Sequence, residues 1–236
     1  MGIFSDVLLT VDYDRTLTAP DSTIPERNLT AIRYFIDNGG VFTVNTGRSM
    51  PMTKVFRDRV PVNAPLLLYN GSAAYDRDKR AFTFATPIDL DLVETIRKTM
   101  ALLPGCAVEL QGQNAHYLFE PNEMWAKYNE YNGCPYAFCR LEDAPGPFLK
   151  FTIYGEFRDV TVADLYNGSD AELAVFDTIH ETLEEIFGDK CVVFRAAPRI
   201  IDVHARGVSK AKSARRLQQE LGRKILVCVG DGENDV

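Results

Sequence analysis

The sequence lacks most of what a secreted, membrane-spanning or zinc-organised protein needs. Its five cysteines, Cys106, Cys134, Cys139, Cys191 and Cys228, form no C-x-x-C pair, and an odd count in a chain of 236 residues argues against a disulfide framework. The three histidines, His116, His180 and His204, have no zinc-ligand spacing. The first apolar run, Val7 to Val11, is too short for a signal-peptide core and has no basic flank. No segment approaches the ~20 apolar residues of a membrane span. Met1-Gly2 is followed by Asp6 where a myristoylation motif has Ser or Thr. Positive charge is in deficit, with 26 Lys and Arg against 33 Asp and Glu and a net charge of −7. That argues against nucleic acid and anionic membrane as partners, because both attract basic surfaces. A phosphorylated small molecule stays open, since a few local cations and a metal hold a phosphate inside an acidic protein. The absences together set the expectation of a reducing cytoplasm, where the triplets at Asn28, Asn70 and Asn167 that match glycosylation sequons are accidental.

The composition, 46% hydrophobic and 25% charged, is that of an ordinary globular chain long enough for one large domain or two smaller ones. The opening reads as strand, helix, strand, helix, strand. Val7–Val11 is mostly apolar, as expected of a strand buried on both faces of a parallel sheet. Thr23 and Glu26 have capping-box spacing around Pro25, and Leu29, Ile32 and Ile36 follow at helical spacing up to Asn38-Gly39-Gly40. Val41–Val44 is the next strand, 51–59 a helix, and Leu66–Tyr69 a third strand. Alternation of this kind implies an α/β fold, a three-layer Rossmann-like core with a parallel sheet.

The texture changes near residue 83. Leu90–Leu103 and Ala171–Phe187 read as amphipathic helices, the second with Leu173, Phe176, Ile179, Leu183 and Ile186 inward. Cys106–Leu110, His116–Phe119, Phe148–Tyr154, Cys191–Arg195 and Ile200–His204 read as strands. This stretch is expected to form an inserted α+β domain over 84–205, with the core made of 1–83 and 206–236. After it, Ser209 caps a helix with Ala214, Leu217 and Leu221 inward, and Gly222 stops it. Ile225–Val229 reads as a buried strand in which Cys228 is a small hydrophobe.

In open α/β sheets, ligands bind beyond the carboxyl ends of the strands. The groups expected there are Asp12 and Asp14, then Asn45-Thr46-Gly47-Arg48, then Asn70-Gly71-Ser72, then Asp231, Asn234 and Asp235. Four carboxylates on one rim are costly unless a cation neutralises them, and an all-oxygen set suits magnesium. Asp12 and Asp14, two apart on an extended backbone, point to one side, so one can attack while the other handles a proton. The Thr46 hydroxyl and the amides around it, beside Gly47, can grip phosphate oxygens, and Lys210 opens a helix whose N-terminus also favours an anion.

Asp12-Tyr13-Asp14-Arg15-Thr16-Leu17-Thr18 resembles the first signature, D-x-D-x-T-[LV], of haloacid dehalogenase-type phosphatases. Val44–Arg48 resembles their second motif, Gly207–Lys210 the third and Gly230–Asp235 the fourth, while Asn70-Gly71-Ser72 is similar to the Asn-Gly-Ala of the Cof-like branch. The resemblance implies a phosphatase that hydrolyses a small phosphorylated metabolite, such as a sugar phosphate, through an aspartyl-phosphate intermediate. It implies Asp12 as nucleophile and magnesium ligand, and Asp14 as general acid and then base, with its backbone carbonyl on the metal. Thr46, Gly47, Lys210 and Asn234 would bind phosphate, Asp231 would ligate the ion and Asp235 would stand behind it. The inserted domain resembles the branch's cap, which closes over the site, with hinges near 80–86 and 204–208. Asn70, Arg48, Arg195 and Arg199 are candidates for substrate contact, as are the cap's Tyr117 and Trp125.

Two other functions fit the motifs: a phosphomutase of the same superfamily, and a catalytically impaired metabolite-binding protein. A calcium loop at 230–235 lacks the later glutamate that such a loop uses. Two departures stand out. Arg15 takes the place of the usual Gly, which sets an expectation of unchanged chemistry with an altered entrance. The sequence also stops at Val236, where the resemblance implies roughly 30–40 further residues of βα structure. The expectations there are an exposed sheet edge at Val229, a monomer or a dimer that covers it, and activity below that of a longer relative.

Overall fold

The computed structural model describes residues 2–119, 123–154 and 169–235, so the triplet at Asn167 begins outside the described residues. In chain order the strands are β1 (Val7–Val11), β2 (Val41–Val44), β3 (Leu66–Leu68), β4 (Ala73–Asp76), β5 (Ala81–Ala85), β6 (Ala107–Gly112), β7 (His116–Leu118), β8 (Tyr136–Phe138), β9 (Phe148–Tyr154), β10 (Cys191–Ala197), β11 (Ile200–Ala205) and β12 (Ile225–Val229). The α-helices are α1 (Glu26–Asp37), α2 (Leu92–Leu102), α3 (Glu123–Tyr131), α4 (Asp170–Phe187) and α5 (Lys210–Glu220). The chain divides into two compact units, one of Met1–Ala85 with Val208–Val236 and one of Thr86–Gly207. No helix among the described residues is long and apolar enough to cross a membrane.

In the first unit β1 lies between β12 and β2, parallel to both, with Val11 opposite Val229 on one side and Val44 on the other. A parallel bridge from Asn45 to Leu67 sets β3 beside the end of β2. The strand ends that carry the first, second and fourth motifs therefore share one rim. β3 then turns back into an antiparallel ribbon, β3-β4-β5, which the alanine-rich segments do not announce. Leu8, Val41, Leu67 and Ala74 pack with Ala214 and Leu217 of α5. Burying each of the leucines stabilises by about 1.5–3 kcal/mol.

Several expectations are corrected here. α1 has Pro25 at its N-cap with no side-chain cap, because Thr23 bonds Asp21 through both its amide (3.0 Å) and its hydroxyl (2.6 Å). Residues 51–59 do not form an α-helix. Pro51–Val55 is a 3-10 turn, with the Thr53 amide on Met50 O and the Phe56 amide on Thr53 O, and Phe56 leaves helical geometry to stack on Tyr13 at 4.3 Å. β12 is an edge strand among the described residues, the exposed edge expected at Val229, so Ile225, Val227 and Val229 are exposed and Cys228 is not the buried hydrophobe its sequence context suggested. Leu221 is exposed too, since it follows α5 rather than lying within it.

The second unit is a six-stranded sheet in the order β10-β11-β9-β6-β7-β8, antiparallel except between β7 and β8. Alternation splits its residues between two faces. Val108, Leu110, Ile201 and Val203 pack with Ile96 of α2 and with Phe176, Ile179, Leu183 and Phe187 of α4. Ile186 is exposed, and Phe187, eleven residues after Phe176, takes the inward place expected for it. The alternate face holds a buried polar network. Lys150 pairs with Asp202 at 2.9 Å, Thr152 donates to Asp202 at 2.8 Å, and Tyr154 donates to Glu109 at 3.1 Å. His116 also pairs with Glu109. α3, a helix absent from the sequence reading, sets Trp125 against the Tyr154 ring.

Candidate active site

β1 ends at Val11, and the Asp12 amide donates to Val229 O at 2.9 Å. The chain then makes a wide turn in which the Leu17 and Thr18 amides reach back to Asp12 O and Tyr13 O. The turn needs a left-handed residue, and Arg15 supplies it at φ 61°, the position where the resembling motif has Gly. Its amide donates to Thr18 Oγ1 at 3.0 Å.

Asp14 lies in this turn rather than on the strand. Its two carboxylate oxygens accept from Arg48 Nε at 2.8 Å and Nη2 at 2.9 Å. Arg48 thus makes a two-point contact with Asp14, and its guanidinium also lies 5.1 Å from the centre of the Tyr13 ring.

Asp12 is buried and accepts from Lys210 Nζ at 2.7 Å. Ser209 caps α5 by accepting from the Lys212 amide at 3.1 Å, which places Lys210 at the first helical position. Asn45 Nδ2 donates to Lys210 O at 3.0 Å, tying the helix start to the second motif. The same ammonium donates to Asp235 Oδ1 at 2.7 Å. Asp231 accepts from Thr16 Oγ1 at 3.0 Å. Asp12, Asp231 and Asp235 each bring a carboxylate oxygen within 4.8 Å of the others, the only such His, Cys, Asp or Glu group among the described residues. Burial pushes the Asp12 carboxyl up to about 6. Lys210 pulls the other way by charge and hydrogen bond, while Asp235 and Asp14 add to the rise. One ammonium among three carboxylates leaves a negative excess, and the donors are all hard oxygens, so the cluster fits a divalent cation such as magnesium.

Thr46 is buried at the end of β2, and two of the amides around it have partners within the fold. Its own N–H donates to Leu67 O at 3.0 Å and that of Arg48 to Thr46 Oγ1 at 3.2 Å. Gly47 lies under Asn70, whose Oδ1 would be 2.8 Å from any added Cβ. Asn70 is fully buried and accepts from Asn234 Nδ2 at 3.0 Å. The structure thus gathers Asp12, Lys210, Asp231, Asp235, Thr46, Gly47, Asn70 and Asn234, and sets Asp14 with Arg48.

Arg195 and Arg199 belong to the second unit. Arg195 is held there by Asp177 at 2.7 Å and by the carbonyls of Ala197 and Pro198, while Arg199 is buried. Tyr117 packs on the unit's hydrophobic core, and Trp125 is fully buried. The sequence reading missed Thr16 and Asn45 as supporting residues, although both sit inside quoted motifs.

A model of the haloacid dehalogenase-like hydrolase family matches residues 9–236. A 5-amino-6-(5-phospho-D-ribitylamino)uracil phosphatase of Bacillus subtilis is 23% identical over 232 residues, 97% of this chain and 78% of that protein. Among solved structures, a haloacid dehalogenase-like hydrolase from Bacteroides thetaiotaomicron superposes with a TM-score of 0.77 at 18% identity, over 97% of this chain and 82% of that one. A sugar phosphatase of subclass IIB superposes with a TM-score of 0.75 at 18% identity over the same shares. At these identities the superpositions speak for the fold.

Proposed function

This chain belongs to the haloacid dehalogenase-like hydrolase family, and we propose from that premise that it is a magnesium-dependent phosphatase acting on a small phosphorylated metabolite of the sugar-phosphate class. The observation that carries the reading is the buried carboxylate of Asp12 held at 2.7 Å by the ammonium of Lys210, with Asp231 and Asp235 gathered around it. The names of the similar proteins, a phosphatase of a phosphoribityl compound and a sugar phosphatase, support the substrate class.

Asp12 attacks phosphorus, the bond from phosphorus to the leaving oxygen breaks, and Asp14 gives that oxygen a proton. Water then attacks the aspartyl-phosphate, Asp14 takes its proton, and phosphate leaves with Asp12 restored. Splitting the hydrolysis in this way replaces one difficult displacement by two easier ones. The Lys210 ammonium balances charge on the transferring group and the Thr46 hydroxyl donates a hydrogen bond to it, in a reaction where positioning and electrostatics provide most of the catalysis. Asp12, Asp231 and Asp235, with the Asp14 carbonyl, would hold magnesium, which supplies further positive charge to the phosphoryl oxygens.

The test is release of free phosphate from p-nitrophenyl phosphate and then from a panel of phosphorylated metabolites, with magnesium, for wild type and Asp12→Asn. The reading expects turnover that the substitution abolishes. An isomeric sugar phosphate in place of free phosphate would assign a mutase instead, and equal rates for the two proteins would remove Asp12 from the chemistry.

A further inference from the structure

The chain leaves β3 through three successive residues of positive φ: Tyr69 at 52°, Asn70 at 53° and Gly71 at 95°. Left-handed backbone suits glycine and is tolerated by asparagine, but for a bulky residue such as tyrosine it is an outlier costing about 1–3 kcal/mol, retained where surrounding structure enforces it. Here every neighbouring motif does so. The Tyr69 amide donates to Arg48 O and the Asn70 amide to Thr46 O, both at 3.0 Å. Gly71 passes so close to α5 that a Cβ would lie 2.3 Å from Ser209 O, one residue before Lys210. The Asn70 side chain lies over Gly47, and its Oδ1 accepts from Asn234 Nδ2 at 3.0 Å.

We infer that Asn70 is a positioning residue, whose carboxamide fixes Asn234, and with it the loop bearing Asp231 and Asp235, against the second motif. The inference rests on the phosphatase reading and gives Asn70 a different part from that of a substrate contact. Its full burial and its engagement with groups from two other motifs supply the reason. Loops that bring charged groups together lose activity when displaced by fractions of an ångström, because the reacting geometry is narrow.

The residue's backbone and side chain can be tested apart. Asn70→Gly keeps the left-handed conformation and removes the carboxamide, whereas Asn70→Ala removes the carboxamide and adds strain. Both are expected to lower kcat about tenfold with KM changed less than threefold, and only the alanine protein should melt noticeably lower. Asn234→Ala should lower kcat similarly, and the double variant Asn70→Gly/Asn234→Ala should be no worse than the poorer single one. Multiplying losses in the double variant, or a rise confined to KM, would overturn the inference. A readout free of activity is the side-chain amide resonance of Asn234, expected to shift in Asn70→Gly without substrate; an unmoved resonance would also overturn it. If wild type released no phosphate, the functional reading would fail while the resonance still decided the role of Asn70.

Discussion

Arg48 grips Asp14 with two parallel hydrogen bonds, from Nε at 2.8 Å and Nη2 at 2.9 Å, while its guanidinium lies over the Tyr13 ring. Tyr13 in turn stacks on Phe56, so the orientation of the proposed acid is set by a chain of contacts reaching into the core. Lysine cannot reproduce a planar fork. Arg48→Lys is expected to lower kcat about tenfold through loss of orientation. Stability should change by less than about 1 kcal/mol, since Asp14 is 47% exposed. Steady-state kinetics beside a denaturation curve check both, and an unaltered kcat would show that the fork has no part in turnover.

Thr16 donates to Asp231 at 3.0 Å from 215 positions away. Groups that orient a metal-binding carboxylate typically matter about tenfold or more for affinity. Thr16→Val should therefore raise the magnesium concentration for half-maximal phosphate release by about tenfold, with maximal rate largely recovered at saturation. A magnesium titration reads this directly, and superimposable curves would refute it.

His204 is fully buried, and burial pushes its imidazole down to about 3, with Lys150 adding to the fall and Asp202 opposing it. Between the ordinary value of 6.5 and about 3, the unfolded chain binds a proton that the folded one refuses. Stability should accordingly fall as pH drops through that window, by up to about 1.4 kcal/mol per pH unit from this residue. Urea denaturation at pH 7, 6 and 5 should give a shallower decline for His204→Gln than for wild type. Parallel declines would assign the acid sensitivity elsewhere.

Lys150 and Asp202 form a buried pair, their side chains 6% and 3% exposed. Removing one partner leaves a charge in a poorly solvating place, at a cost of about 3–5 kcal/mol. Lys150→Met is expected to destabilise by that order, and Lys150→Met/Asp202→Leu by less than the sum of its single variants. Additive losses would mean the two side chains are not coupled.

The elements legible in the sequence were those whose local signals agreed with their surroundings. Ser209 caps α5 as its position before an amphipathic run implied, and the long pattern of α4 was read within one residue of its start. Signals failed where a tertiary partner outweighed them. Thr23 looked like a cap, but Asp21 two residues away engages its hydroxyl. Ile225–Val229 has the composition of a buried strand, but burial depends on what lies beside it, which composition does not encode. The members of the site were legible because motif residues sit at strand ends. Their pairing was not: nothing local says that Arg48 takes Asp14, or that an asparagine after β3 receives one from the fourth motif.

β1 pairs with β12 across 218 positions, Val7 opposite Ile225, and Asp12 meets Lys210 across 198. Closing such long loops is entropically costly and slow. The strands and helices of the second unit, whose own pairings are shorter in sequence, can therefore assemble while Asp12 and Lys210 are still far apart. On refolding from denaturant, recovered turnover should lag behind recovered circular dichroism. During synthesis, Asp12 and Lys210 cannot meet until nearly the whole of this sequence has left the ribosome.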